Sequence, residues 1–183
     1  MAKYFIIVLL GYLLGSSSMS YYISKLKKVE IREKGSKNLG ASNTMMVLGW
    51  KYGVLVGIHD IGKSILAVLL ARFLFPDLEL AGFLAGVASV LGHIFPFYLR
   101  FKGGKGFASY FGMTLALNWK LALIIGLAVI VVTLITDYIV VGTTLTITAV
   151  PIFYGFATKG FLIPLILLIG TFVIAYKHRM NYV

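Results

Sequence analysis

The chain has 183 residues, of which 60% are hydrophobic, with a mean hydropathy of +0.95, a formal net charge of +11 and no cysteine. A soluble domain of this length needs a polar surface and is about half apolar at most, so a soluble fold is excluded, and the missing cysteines exclude a disulfide scaffold, thiol catalysis and cysteine-ligated metals. The basic excess reads as membrane topology and not as affinity for nucleic acid, because no stacking aromatics interleave the Lys and Arg residues.

Residues 4–23 are the first apolar block. No small-residue cleavage site stands ahead of a polar mature domain, so the block reads as a span and not as a removable leader. A polar stretch over 24–51 holds Lys25, Lys27, Lys28, Arg32, Lys34, Lys37 and Lys51. Residues 52–75 form the second span, closed by Pro76-Asp77, and carry His59, Asp60 and Lys63 inside an apolar run. The third span, 80–99, leads into Arg100-Phe101-Lys102-Gly103-Gly104-Lys105-Gly106. Residues 107–117 are apolar but short, so they cross only through a thinned bilayer or from within a bundle. Segments 121–136, 138–156 and 161–176 follow, the last running into Lys177-His178-Arg179-Met180-Asn181.

Buried in lipid, each segment must satisfy its own backbone groups, so these blocks are helices. The expectation is an all-α polytopic protein, a single membrane domain over 1–183 with seven transmembrane helices. Placing 24–51, 99–106 and the C-terminus on one side gathers twelve basic residues there, against Lys3, Arg72, Lys120 and Lys159 on the other. The rich side faces the cytoplasm and the N-terminus lies outside. Opposite termini require an odd number of spans, which seven satisfies.

The polar residues that break the pattern gather at the cytoplasmic ends. Gly35-Ser36-Lys37-Asn38-Leu39-Gly40-Ala41-Ser42-Asn43 is a glycine-rich turn running into a helix, with short donors and acceptors fit to cap it, and such a turn is an anion site. In 102–106 two lysines bracket glycine-freed amides, which suits a phosphate. The spacing is not that of a Walker loop. Asp60 and Lys63 are three apart and share a helical face; ionisable residues inside a span are functional candidates, and the other reading is a structural ion pair that orders the bundle. His93, ahead of Pro96, reads as a packing or orienting residue. His178 and Asn181, also three apart, read as a base or a positioning pair. Three scattered histidines and few carboxylates argue against a metal, and no cofactor is expected.

Taken in order, Gly15-Ser16, Gly35-Ser36-x-Asn38-x-Gly40-Ala41-Ser42-Asn43, Asp60-x-x-Lys63, Gly92-His93-x-x-Pro96 with Phe101–Gly106, and His178-x-x-Asn181 resemble the PlsY family, the bacterial acyl-phosphate:glycerol-3-phosphate acyltransferases. The resemblance implies a seven-helix protein of the bacterial cell membrane with a cytoplasmic site. It implies transfer of a fatty acyl group from acyl phosphate to the 1-hydroxyl of glycerol 3-phosphate, giving lysophosphatidic acid and phosphate. The soluble-donor acyltransferase signature, His followed by four residues and Asp, is absent: Ser64, Tyr98 and Val183 stand at that offset from the three histidines.

In this reading Ser36, Lys105, Thr143, His178 and Asn181 are the catalytic set. Lys37, Asn38, Asn43, Asp60, Lys63, His93, Lys102, Gly103, Gly104 and Gly106 are the substrate-binding set. Lys102, Lys105 and the amides of 103–106 hold phosphate; Ser36, Asn38 and Asn43 bond glycerol phosphate; His178 and Asn181 orient or deprotonate the attacking hydroxyl. The partners are acyl phosphate, glycerol 3-phosphate and membrane lipid.

The pattern departs from the family at several points. Lys37 stands where it has glycine, Met46 where it usually has arginine, and Lys177 where it has arginine before the histidine. Its serine pair becomes Val140 and Thr143, and the chain stops two residues after Asn181, where the family continues with a basic tail. Lys37 is a candidate to replace the charge missing at Met46. The lost arginine and hydroxyl also open a second reading, a non-catalytic relative that binds or transports phospholipid or another phosphorylated amphiphile.

Overall fold

The computed structural model describes residues 1–158 and 160–179, and all regular elements among them are helical. They are α1 (Ala2–Ser16), α2 (Met19–Leu26), α3 (Ala41–Leu48), α4 (Trp50–Leu74), α5 (Ala81–Ile94), α6 (Phe107–Leu117), α7 (Trp119–Thr136), α8 (Ile139–Ala157) and α9 (Leu162–His178), with single 3₁₀ turns at Ile31–Glu33 and Phe97–Leu99. Among the described residues five stretches are long and apolar enough to cross a membrane: Ala2–Leu26, Trp50–Leu74, Ala81–Leu99, Trp119–Thr136 and Ile139–Ala157. Phe107–Leu117 and Leu162–His178 are shorter apolar helices.

Close approach between α1 and α5 rests on small residues. Gly11 and Gly15 lie one turn apart on α1, and a Cβ at either would overlap the backbone of Ala85 or Ser89 on α5. Lipid supplies no hydrophobic drive between helices, so this small-residue seam gains its energy from backbone-level van der Waals contact.

The first block is not one continuous helix, as the sequence suggested; α1 stops at Ser16 and α2 starts again at Met19. Side chains from other helices take up the interruption. The Tyr98 hydroxyl donates to Ser16 O at 2.9 Å and Lys63 Nζ to Ser17 O at 2.7 Å, while Ser18 Oγ accepts from Tyr21 N and caps α2. Broken backbone at membrane depth persists where protein satisfies it.

The short helix α6 sits inside the bundle, against α4, α5 and α7. Gly112 lies against the Ile61 backbone. The fully buried Tyr110 hydroxyl reaches Ile147 O at 3.3 Å and Thr171 Oγ1 at 3.2 Å, linking α6 to α8 and α9. Around it Val87, Val90, Ile94, Met113, Val150 and Leu167 form the main core.

Candidate active site

Two helices begin at one cavity of about 390 Å³. Gly40, Ala41 and Ser42 bring the N-terminus of α3 to it, and Gly106, Phe107 and Ala108 bring that of α6. The first amides of a helix have no intrahelical acceptor and carry the positive end of its dipole, so two such ends facing one space favour an anion. Both N-caps are glycines without a capping side chain, and Gly106 sits at φ 97, where a side chain is strained. The sequence expectation of Ser or Asn caps gives way here to open helix ends.

Lys105 lines the same cavity. Burial pushes its ammonium below the ordinary lysine value, so a cation is held where desolvation makes an anionic partner more valuable. Ser36 and Asn38 enter from the loop before α3, and Asp60 and His93 from α4 and α5. Thr143 and His178 come from α8 and α9. The Thr143 hydroxyl donates to Val140 O at 3.0 Å and lies 3.4 Å from His178 Nδ1. With its own hydrogen committed to Val140, the hydroxyl accepts from Nδ1–H, which leaves His178 Nε2 as a lone-pair base.

Several expected site residues do something else. The Gly103 and Gly104 amides are not free for phosphate; they donate to Ile94 O at 3.0 Å and His93 O at 3.1 Å. Glycine is required there because a Cβ at 103 would overlap His93 O and one at 104 would overlap the His93 ring. Lys102 and Lys37 do not reach the cavity. They line a separate one of about 350 Å³ with Glu30, Arg32, Glu33 and Gly103. Lys37, at φ 56, therefore does not restore the charge absent at Met46, which is in the main cavity wall. Asn43 is buried and holds its own loop: Nδ2 reaches Ile31 O, Lys34 O and Asn38 O at 3.0–3.1 Å, and Oδ1 accepts from Ser36 N at 2.8 Å. Lys63 also stays out of the lining, its ammonium bonded within the protein. Asn181 lies outside the described residues.

The sequence reading missed the apolar wall. Phe107, Ile139, Val140 and Met46 give the cavity a greasy side next to its cationic end. Only their position beside the polar motifs signalled it, since apolar residues in an apolar chain carry no contrast.

Comparison with known proteins identifies the family. The glycerol-3-phosphate acyltransferase family model matches residues 5–183. The chain is 36% identical over 190 residues to glycerol-3-phosphate acyltransferase 1 of Oceanobacillus iheyensis, covering 98% of this chain and 89% of that one. It is 37% identical over 186 residues to the glycerol-3-phosphate acyltransferase of Clostridioides difficile, covering 98% and 90%. The fold superposes with a TM-score of 0.90, at 34% identity and over 98% of this chain and 90% of the other, on the crystal structure of PlsY, an integral membrane glycerol 3-phosphate acyltransferase, in its glycerol 3-phosphate form. The lysophosphatidic acid form superposes with a TM-score of 0.87 at 33% identity, over 98% and 89%. A match that runs the length of the chain in sequence and in fold makes this multi-pass membrane protein a member of the glycerol-3-phosphate acyltransferase family, of the PlsY type.

Proposed function

We propose that the protein is a membrane acyltransferase of phospholipid synthesis that moves a fatty acyl group from acyl phosphate to the 1-hydroxyl of glycerol 3-phosphate. The observation that carries this reading is the meeting of two helix N-termini and Lys105 at one cavity with an apolar wall. Two phosphorylated substrates, one with an alkyl chain, match such a site in charge and in polarity. The names and crystal forms of the relatives support glycerol 3-phosphate as acceptor.

The donor is the one that the family resemblance implies, and the site chemistry is compatible with it. Acyl phosphate is a mixed anhydride, already activated, so no covalent enzyme nucleophile is required and positioning with charge stabilisation suffices. The acceptor hydroxyl oxygen attacks the acyl carbonyl carbon, and its proton passes to His178 Nε2. The carbonyl-carbon–oxygen bond to phosphate then breaks, and the electron pair leaves on phosphate, where Lys105 and the α6 amides offset the charge. His178 returns its proton to that phosphate. Ser36 and Asn38 supply hydrogen bonds to the polar part of the substrates.

The site faces the cytoplasm of a bacterial cell in one membrane domain with seven crossings, the N-terminus outside. Ser36, Lys105, Thr143 and His178 share one cavity although α6 to α9 separate 105 from 178. An even number of crossings between them brings both to one face, which supports counting α6 as one of the four.

The test is phosphate release by purified protein supplied with palmitoyl phosphate and glycerol 3-phosphate. Release that needs both, with lysophosphatidic acid formed, is the expected result. Folded protein without turnover would sink the reading, and turnover only with an acyl thioester would sink its donor.

A further inference from the structure

Lys63 has three ammonium hydrogens and three acceptors. Nζ lies 2.7 Å from Ser17 O, 2.8 Å from His93 Nδ1 and 2.8 Å from Asp60 Oδ1. The side chains of Lys63, Asp60 and His93 are all buried. A charged Lys is donor-only, so Nδ1 accepts from Lys63 at 2.8 Å, the nearer contact, with Asp60 Oδ1 at 3.3 Å from the same nitrogen, and the His93 hydrogen sits on Nε2. That edge of the ring lies against Gly104, where even a methyl would overlap Nε2. The same residue's carbonyl takes the Gly104 amide at 3.1 Å, and Ile94 O takes that of Gly103 at 3.0 Å. The turn that ends in Lys105 and Gly106 is thus shaped by His93, and the His93 ring is held by Lys63.

We infer that Lys63 and Asp60 act as positioning residues: the ammonium ties the break between α1 and α2 to α4 and pins the His93 ring, which sets the 103–106 turn in the form that presents Lys105 and the start of α6 to phosphate. The inference rests on the proposed function insofar as that turn binds phosphate. It departs from the expectation that Lys63 touches substrate. The ring is anchored at Nδ1, so it does not swing away from an alanine at 104 as a free side chain would.

The test is a double-mutant cycle of His93→Ala and Gly104→Ala, read as inorganic phosphate affinity by calorimetry and as kcat/KM for acyl transfer, with Lys63→Met beside it. Each single change weakens phosphate binding roughly tenfold, by displacing one half of the brace. The double variant is no weaker than the weaker single, because removing the ring removes the clash. Lys63→Met, made one residue behind the cavity lining, weakens phosphate binding and raises KM more than it lowers kcat. Losses that multiply in the double variant, or unchanged phosphate affinity in a folded Lys63→Met protein, would overturn the inference while wild-type turnover stands. Phosphate binding that follows the cycle in a wild-type protein without acyl transfer would uphold the brace and remove the acyltransferase reading instead.

Discussion

In the proposed reading Lys105 is the cation of the anion site, and its environment gives it a pH signature. Burial disfavours the ammonium, so its proton leaves at a lower pH than the ordinary lysine value of about 10.4. The charge is present below the depressed value and lost as pH rises through it, so KM for the phosphorylated substrates climbs on the alkaline side before a solvent lysine would titrate. Lys105→Arg, which keeps its charge to far higher pH, moves that limb upward, and Lys105→Ala lowers kcat/KM by roughly 10- to 100-fold, the worth of one charged hydrogen bond. A KM–pH profile of the three proteins checks this, and identical alkaline limbs in wild type and Lys105→Arg would remove Lys105 from the assignment. His178→Ala acts on kcat instead, by about 10² to 10⁴. These two residues stood out in the sequence because each lies in a short polar cluster where an apolar span ends. The roles of Gly103, Gly104 and Asn43 were not, since the same glycines serve a free amide or a close approach, and the same amide serves a ligand or a loop; only coordinates tell which. Asn43 yields a prediction of opposite sign to a ligand role. Its Nδ2 faces three carbonyls, so Asn43→Asp, an acceptor only, unfolds at a lower temperature than Asn43→Ala, which itself costs about 1–3 kcal/mol. Thermal unfolding in detergent decides the order.

At the scale of elements, the apolar blocks gave helices where hydropathy placed them, but hydropathy is blind to interruptions that other helices repair. The break at Ser17-Ser18 falls inside an apolar block and is satisfied by Tyr98 and Lys63, residues 46 and more positions away. Helix α3 was expected only as the helix that the glycine-rich turn enters, and its eight residues carry no span-length signal to show where it stops. The glycines of α1 distinguish packing from propensity. Gly15→Ala drives a methyl into the Ser89 backbone, whereas Gly62→Ala meets nothing within 4 Å. Overpacking of this kind costs about 1–3 kcal/mol, and Gly62→Ala, an ordinary helix substitution, is neutral or better. Melting temperatures of the two variants in the same detergent are expected to fall on opposite sides of wild type or to leave Gly62→Ala level with it; equal losses would show that the α1–α5 seam is not set by its small residues.

For the whole molecule the open question is whether the eleven residues of α6 count as a crossing, as the proposed seven-helix topology requires. At 1.5 Å per residue α6 is roughly 16 Å long, about half of a hydrocarbon core of about 30 Å. It needs no lipid-facing length of its own, because Ser109, Tyr110, Gly112, Met113 and Thr114 are buried among other helices. Under the proposed topology the count is a matter of parity: α8 starts and α9 ends at the space where α6 starts, which supports a reading in which α6 and α7 together leave that face and return to it. Labelling can read this directly, since the chain has no native cysteine. Lys28→Cys is expected to react with an impermeant maleimide only from the cytoplasmic side of oriented vesicles, and Asp77→Cys only from the other. Those two sites precede α6 and fix the orientation under either count. Asp137→Cys, between α7 and α8, discriminates: it reacts from the cytoplasmic side if α6 crosses and from the outside if it does not. Reaction of Asp137→Cys on the same side as Asp77→Cys would remove both the seventh crossing and the shared face on which the proposed active site depends.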